Sequence, residues 1–189
     1  GYASAHPSGI SVLALSNGVK PLKPELLDPQ RIGDVLSRLA AAYDYVVIDI
    51  GMSFGPAAEA VMDLAAIILI PVTPDFLSVQ QARFDLDMLR SRNFSKEIVL
   101  AALNQVGKGS PVGQETVEQQ LGRKLAAAIP YDPEAQARLA QGAYPVQFPR
   151  HPVTKALDQL VYRIVKRCQS LPARTGAAGA DDSGAAPDL

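Results

Sequence analysis

Tyr43-Asp44-Tyr45-Val46-Val47-Ile48-Asp49-Ile50-Gly51-Met52-Ser53 is the stretch whose reading decides the fold. From Tyr45 to Ile50 it is rich in β-formers and does not alternate apolar with polar. A strand with one wet face alternates. A strand covered on both faces does not, and such strands belong to parallel sheets packed between helices. The run then drives into Asp49 and turns at Gly51. In an open α/β sheet, ligands bind in the crevice at the carboxyl ends of the strands, so Asp49 stands where a ligand is expected.

Working outward, the pattern repeats. Residues 10–15 read as a strand. Asp28-Pro29 is a helix cap followed by proline at the first helical position, and Ile32, Val35, Leu36 and Leu39 then make one apolar stripe. Residues 56–64 predict a short alanine-rich helix, and residues 66–72 a third strand. Residues 75–92 predict a helix with Val79, Ala82, Leu86 and Leu89 on one side. Strand 97–104, helix 114–121 ended by Gly122, and a shorter strand at 124–129 follow. Asp132-Pro133 repeats the cap signal, with Gly142 closing that helix. The last helix places Val153, Ala156, Leu157, Leu160, Val161, Ile164, Val165 and Cys168 on one face. Alternating strands and helices predict a doubly wound α/β fold with a mostly parallel sheet and helices on both faces. Residues 1–170 read as one incomplete domain. Residues 171–189 hold almost no large apolar side chain and read as a disordered tail.

Composition narrows the function. The chain has 189 residues, 48% hydrophobic, with formal net charge -1. No long run has one sign, which disfavours a nucleic-acid arm or a polybasic membrane patch. The single cysteine, Cys168, forms neither an internal disulfide nor a zinc cluster and reads as core filler. His6 and His151 each precede a proline and take a structural or solvent role. No apolar run reaches the roughly 20 residues that span a bilayer, and the chain does not open like a signal peptide. Peripheral membrane association through the last helix is the most the pattern allows, so a cytoplasmic location is expected. Residue 1 is Gly rather than Met, which suggests a processed chain or the later part of something longer.

Several strand ends carry polar or turn-forming residues at one edge: Asp49, Thr73, Asn104 and Pro130-Tyr131-Asp132. Two families offer such an edge. The strand 44–52 resembles the phosphoacceptor strand of response-regulator receiver domains. That chemistry needs an acidic pair after the first strand and a lysine closing the fifth; Ser16-Asn17-Gly18 and Ile129-Pro130-Tyr131 supply neither.

The second family fits more of the chain. From about His6 to Cys168 the sequence resembles the C-terminal two-thirds of a MinD/ParA-type deviant-Walker P-loop ATPase, most like the TadZ/CpaE pilus-assembly ATPases. The segments that carry the resemblance, in order, are 43–49, 67–75 with Ser78 and Ala82, 99–106, 129–132 and 141–146. The resemblance implies roles. Asp49 would be the switch II carboxylate, holding a water of the Mg²⁺ shell beside the γ-phosphate of ATP. Gly51 would let the backbone approach the phosphates. Asn104 would read adenine, because its amide both donates and accepts. Pro130 and Asp132 would line the base pocket. The whole protein would be a dimerising ATPase serving pilus or polar-localisation proteins, with no specific nucleic-acid partner. A P-loop-free scaffold of the same fold and a chromosome or plasmid partitioning ATPase are the alternatives.

The sequence also departs from the family. Relatives follow the switch II aspartate with a proline, and with a glycine four residues on; here Ile50 follows and Ser53 stands at the glycine position. That departure points to the TadZ/CpaE branch. No Gly-x-x-x-x-Gly-Lys-[Ser/Thr] occurs in the 189 residues. Gly107-Lys108-Gly109-Ser110 imitates it but lacks the first glycine and separates lysine from serine, so it reads as a surface loop. Without a P-loop strand, the strand at 45–50 is expected to lose its neighbour and expose an apolar edge, an aggregation hazard.

Overall fold

Three short apolar runs, each bounded by turn residues, form the sheet. In a computed structural model describing residues 3–14, 28–51, 54–107 and 109–171, β3 (Ile68–Val72), β4 (Val99–Val106) and β5 (Ala127–Pro130) lie parallel in that order. Ile68 sits opposite Val99 and Val72 opposite Leu103, and Ala102 pairs with Ala127. Ahead of them, β1 (Ser4–Ala5) and β2 (Ser11–Val12) form a small antiparallel hairpin.

The helices start where the cap signals stand. α1 (Pro29–Ala42) is capped by Asp28, whose carboxylate accepts from the Gln30 N–H at 3.1 Å. α2 is Pro56–Leu64. α3 (Phe76–Ser91) is capped by Asp75, and α4 (Gln114–Leu121) ends at Gly122 with φ +62°. α5 (Pro133–Ala140) is capped by Asp132 and α6 (Pro152–Ser170) by His151. The left-handed backbone at Gly122 is the conformation a helix-ending glycine supplies without steric cost.

Alternation along β4 shows why its sequence is apolar from Val99 to Leu103. Ala102, with Leu100 beside it, packs against Leu160 and Ile164 of α6. The intervening Val99, Ala101 and Leu103 are buried as well, and a strand's side chains alternate between faces. Both faces of β4 are therefore covered. α3 packs on β3 and α4, and contributes Val79, Ala82 and Leu89 to the core. Arg163 ties α6 to the sheet by donating to the carbonyl oxygens of Leu125 and Ala126. The α/β class with a parallel sheet flanked by helices is as expected.

The described residues divide into two units, one up to Ala65 and one from Ala66 onward. In the first, α1 and α2 pack together, with Ala58 and Met62 of α2 buried. α1 buries no residue fully, and Val35 of its apolar stripe is 45% exposed.

Two strand expectations need correction. The strand at 10–15 is realised only as Ser11–Val12, in an antiparallel hairpin; Leu15 lies outside the described residues. Residues 45–50 form no ladder with any described strand, and Val47 is 96% exposed. The reason is physical. β-propensity measures how well side chains fit a pleated, covered surface, and it forms no strand where no partner meets the backbone. The tail beyond Leu171, and Met52, Ser53 and Lys108, also lie outside the described residues.

Candidate functional site

The carboxyl edge of the sheet is built by three strand ends. After β3, Thr73 begins a closed turn. Its hydroxyl donates to Asp75 Oδ2, its N–H donates to Ser78 Oγ at 2.9 Å, and Asp75 Oδ1 accepts from the Ser78 N–H at 2.9 Å. The Thr73 hydroxyl, followed by the Ser78 N–H, holds the Asp75 carboxyl below its ordinary value of 3.8. Asp75 thus stays ionised at the N-terminus of α3, where a helix favours negative charge.

Asn104 lies in β4, one residue beyond the Val72–Leu103 pair. Its Oδ1 accepts from the Gln105 N–H at 3.0 Å. Gln105 has φ +61°, unusual for a residue with a side chain, and the β4–β5 register shifts between Leu103 and Val106. The bulge re-aims the strand end beside the adenine-reading candidate. Asn104 keeps its side-chain NH₂ and a second carbonyl lone pair for a ligand.

At the end of β5, Pro130 pairs with Val106, and the Tyr131 N–H donates to the Val106 carbonyl at 2.8 Å. Gly107 lies against this strand end; a Cβ there would stand 3.6 Å from Tyr131 Cβ. Gly107 also donates to Ser110 Oγ at 2.9 Å, closing the surface turn expected for the P-loop imitation. Asp132 has two structural tasks. Oδ1 accepts from the Ala135 N–H at 2.9 Å, and Oδ2 lies 3.3 Å from His151 Nε2. The Ala135 hydrogen bond, with His151 adding to it, pushes the Asp132 carboxyl down.

His151 takes the structural role expected of it, as the cap of α6, and adds a contact with Asp132 that the sequence does not show. Its Nδ1 accepts from the Val153 N–H at 3.3 Å, so in the neutral ring Nε2 carries the hydrogen that meets Asp132. The signal for the cap was present: His151-Pro152 repeats the cap-then-proline pattern of Asp28-Pro29 and Asp132-Pro133. The Asp132–His151 pair locks the start of α5 to the start of α6.

Asp49 and Gly51 belong to the other unit. Asp49 is exposed, and its Oδ1 accepts from the Gly51 N–H at 2.9 Å. Gly51 has φ +63°, so its lack of a side chain is already required by the turn. Thr73, Asn104, Pro130 and Asp132 are therefore gathered on one sheet edge, with Asp49 and Gly51 on a separate turn. The described residues hold no group of three or more acidic, histidine or cysteine side chains that could bind a metal ion. A single carboxylate acting through water, the part implied for Asp49, needs no such group.

No protein-family profile and no curated protein matches the chain. Solved structures do. The ParA family ATPase from Chlorobium tepidum superposes with a TM-score of 0.68 over 89% of this chain and 68% of that one, at 20% identity. The fold is the MinD/ParA one. The MinD cell division protein of Aquifex aeolicus gives 0.63 at 20% identity over 78% of this chain. Pyrococcus horikoshii MinD, solved with Mg-ADP, gives 0.62 at 20% identity over 74% of this chain. The chain spans 64% of the Aquifex MinD length and 57% of the Pyrococcus horikoshii one. Among the described residues no helix is long and apolar enough to cross a membrane.

Proposed function

We propose that this chain is the C-terminal part of a cytoplasmic Mg-ATP-dependent ATPase of the MinD/ParA kind. By its likeness to the TadZ/CpaE branch, it would act as a homodimer that positions or assembles a tight-adherence pilus. The observation that carries the proposal is the sheet edge. Parallel β3, β4 and β5 end together on Thr73, Asn104 and Pro130-Tyr131-Asp132, in a fold shared with a MinD solved with Mg-ADP.

In that site Asn104 pairs with adenine through its NH₂ and remaining lone pair, and the bulge at Gln105 sets its direction. Pro130 and Asp132 wall the base, with Asp132 held in place by His151. On its own turn, Asp49 would hold a water of the Mg²⁺ shell, and Gly51 would keep that turn open for the phosphates. Magnesium would supply charge neutralisation at the phosphates; the protein's share is positioning. The 189 residues contain no Gly-x-x-x-x-Gly-Lys-[Ser/Thr] loop, so the roles read here are those of the base pocket and of the Asp49–Gly51 turn.

The test is calorimetric titration of Mg-ATP into the chain alone and into the chain fused to a P-loop strand and loop. The chain alone should bind weakly or not at all. The fusion should bind, and Asn104→Ala in the fusion should weaken binding about tenfold, the loss of one or two hydrogen bonds to a base. Tight binding and hydrolysis by the chain alone would refute the assignment, as would a folded fusion that does not bind. A non-hydrolysing scaffold of the same fold is the second reading. It is favoured by the structural tasks that occupy both Asp132 oxygens, and it predicts a monodisperse chain that ignores nucleotide in either form.

A further inference from the structure

The opposite end of the sheet carries a feature that the nucleotide proposal does not use. Where β4 begins, Arg90, Lys96 and Arg123 line one cavity of about 70 Å³. Its remaining lining comes from apolar side chains, among them Leu89, Phe94 and Leu121, with Gly122; no acidic residue contributes. At roughly 10–15 Å³ of such volume per water, the space takes a few waters or one tetrahedral oxyanion.

The charges around it are poorly balanced. Arg90 has a partner, Asp87, at 3.3 Å, but both side chains are largely exposed, and such a pair contributes about 0–1 kcal/mol. Arg123 donates from Nη2 to the Lys96 carbonyl at 3.1 Å, which fixes one edge of its guanidinium. Among the described residues neither Arg123 nor Lys96 has a carboxylate within ion-pair distance. Burial, then repulsion from Arg90 and Arg167, lowers the Arg123 pKa. Glu97, next to Lys96 in sequence, accepts from the Ser95 hydroxyl, which lowers its pKa more than Arg167 and Lys96 do. A half-buried guanidinium held by one edge, repelled by two other cations and facing an apolar-walled space, is stabilised by an anion that enters that space. Three cations outnumber the charge of one carboxylate; a phosphate dianion answers them better.

We propose that this cavity binds a phosphoryl group, as inorganic phosphate or a phosphate monoester, between Arg123, Lys96 and Arg90. The guanidinium fork of Arg123 and the Lys96 ammonium donate to its oxygens, and Arg90 exchanges Asp87 for the ligand. The competing role for these cations is to offset the carbonyl ends of α3 and α4, which meet here. That role predicts no saturable uptake of phosphate.

The test is an amide NMR titration of the full chain with inorganic phosphate, sodium chloride being lowered to hold ionic strength constant. The expected result is saturable shifts at Lys96, Gly122 and Arg123. Arg123→Gln should raise the dissociation constant at least tenfold and Lys96→Gln about threefold. Lys124→Gln, which removes only the Glu118 partner, should leave it unchanged. Lys96 is exposed, so its variant reports even if Arg123→Gln unfolds. A parallel titration with phosphoserine separates a monoester, which then binds tighter, from free phosphate, which then binds better. Non-saturating shifts, shifts spread over the surface, equal binding by the Lys96 variant, or equal binding of acetate would each overturn the proposal.

Discussion

Three residues at the carboxyl edge carry separable consequences. Gln105 holds φ +61°, a conformation costing a residue with a side chain about 1–2 kcal/mol. Gln105→Gly should therefore raise stability by about 1 kcal/mol in chemical denaturation, while loosening the neighbouring Asn104. No gain would mean the bulge is not strained. Asp75 and Asp132 are both held below the ordinary carboxylate range, Asp75 first by the Thr73 hydroxyl and Asp132 first by the Ala135 N–H. A carboxyl with a lowered folded pKa contributes stability that is complete above its unfolded value and lost as pH falls through the folded one. The denaturation midpoint should thus hold above about pH 5 and fall below about pH 4. Asp75→Asn combined with Asp132→Asn should flatten that fall. Asp85, raised by burial, works in the opposite sense and softens it. An unchanged slope in the double variant would show that these hydrogen bonds do not couple to folding.

At the scale of elements, the sheet and its helices set the stable part of the chain. Leu103 of β4 is 0% exposed, and Leu103→Ala should cost about 2–5 kcal/mol, read from the denaturant midpoint. Amide exchange should divide the chain the same way, with the β3–β5 ladders slowest and residues 29–50 orders of magnitude faster. Strong protection at 45–50 would contradict the unpaired state found there. The helices were legible because their signals are local: cap, proline, apolar stripe and closing glycine lie within a few residues of each other, as at Asp28-Pro29 or Gly122. β3, β4 and β5 were legible because all three meet partners. Residues 45–50 carry the same composition, yet propensity cannot say whether a partner strand is at hand. Of the run expected at 10–15, only Ser11–Val12 forms a strand among the described residues, since Ser4–Ala5 offered an antiparallel partner where a parallel one was expected.

For the whole molecule, the site was legible only as far as topology reaches. A parallel sheet places Thr73, Asn104 and Pro130 on one edge wherever their strands pair, so their gathering follows from strand order alone. The Asp132–His151 link depends on how the starts of two helices meet, and spacing along the chain does not reveal it. The exposed run at 45–50 also has a consequence for the molecule in solution. An unpaired β-prone segment invites pairing between chains. Val47→Lys should therefore raise the soluble yield without lowering the denaturation midpoint; an unchanged yield would place the aggregation hazard elsewhere. The central claim is that the carboxyl edge is a nucleotide pocket completed by a phosphate-binding loop. Mg-ADP titrated by amide NMR into the chain fused to such a loop tests it most directly. The account predicts saturable shifts at Asn104, Gln105, Tyr131 and Asp132, joined by Asp49 and Gly51. Shifts absent from that edge in a folded fusion would contradict it.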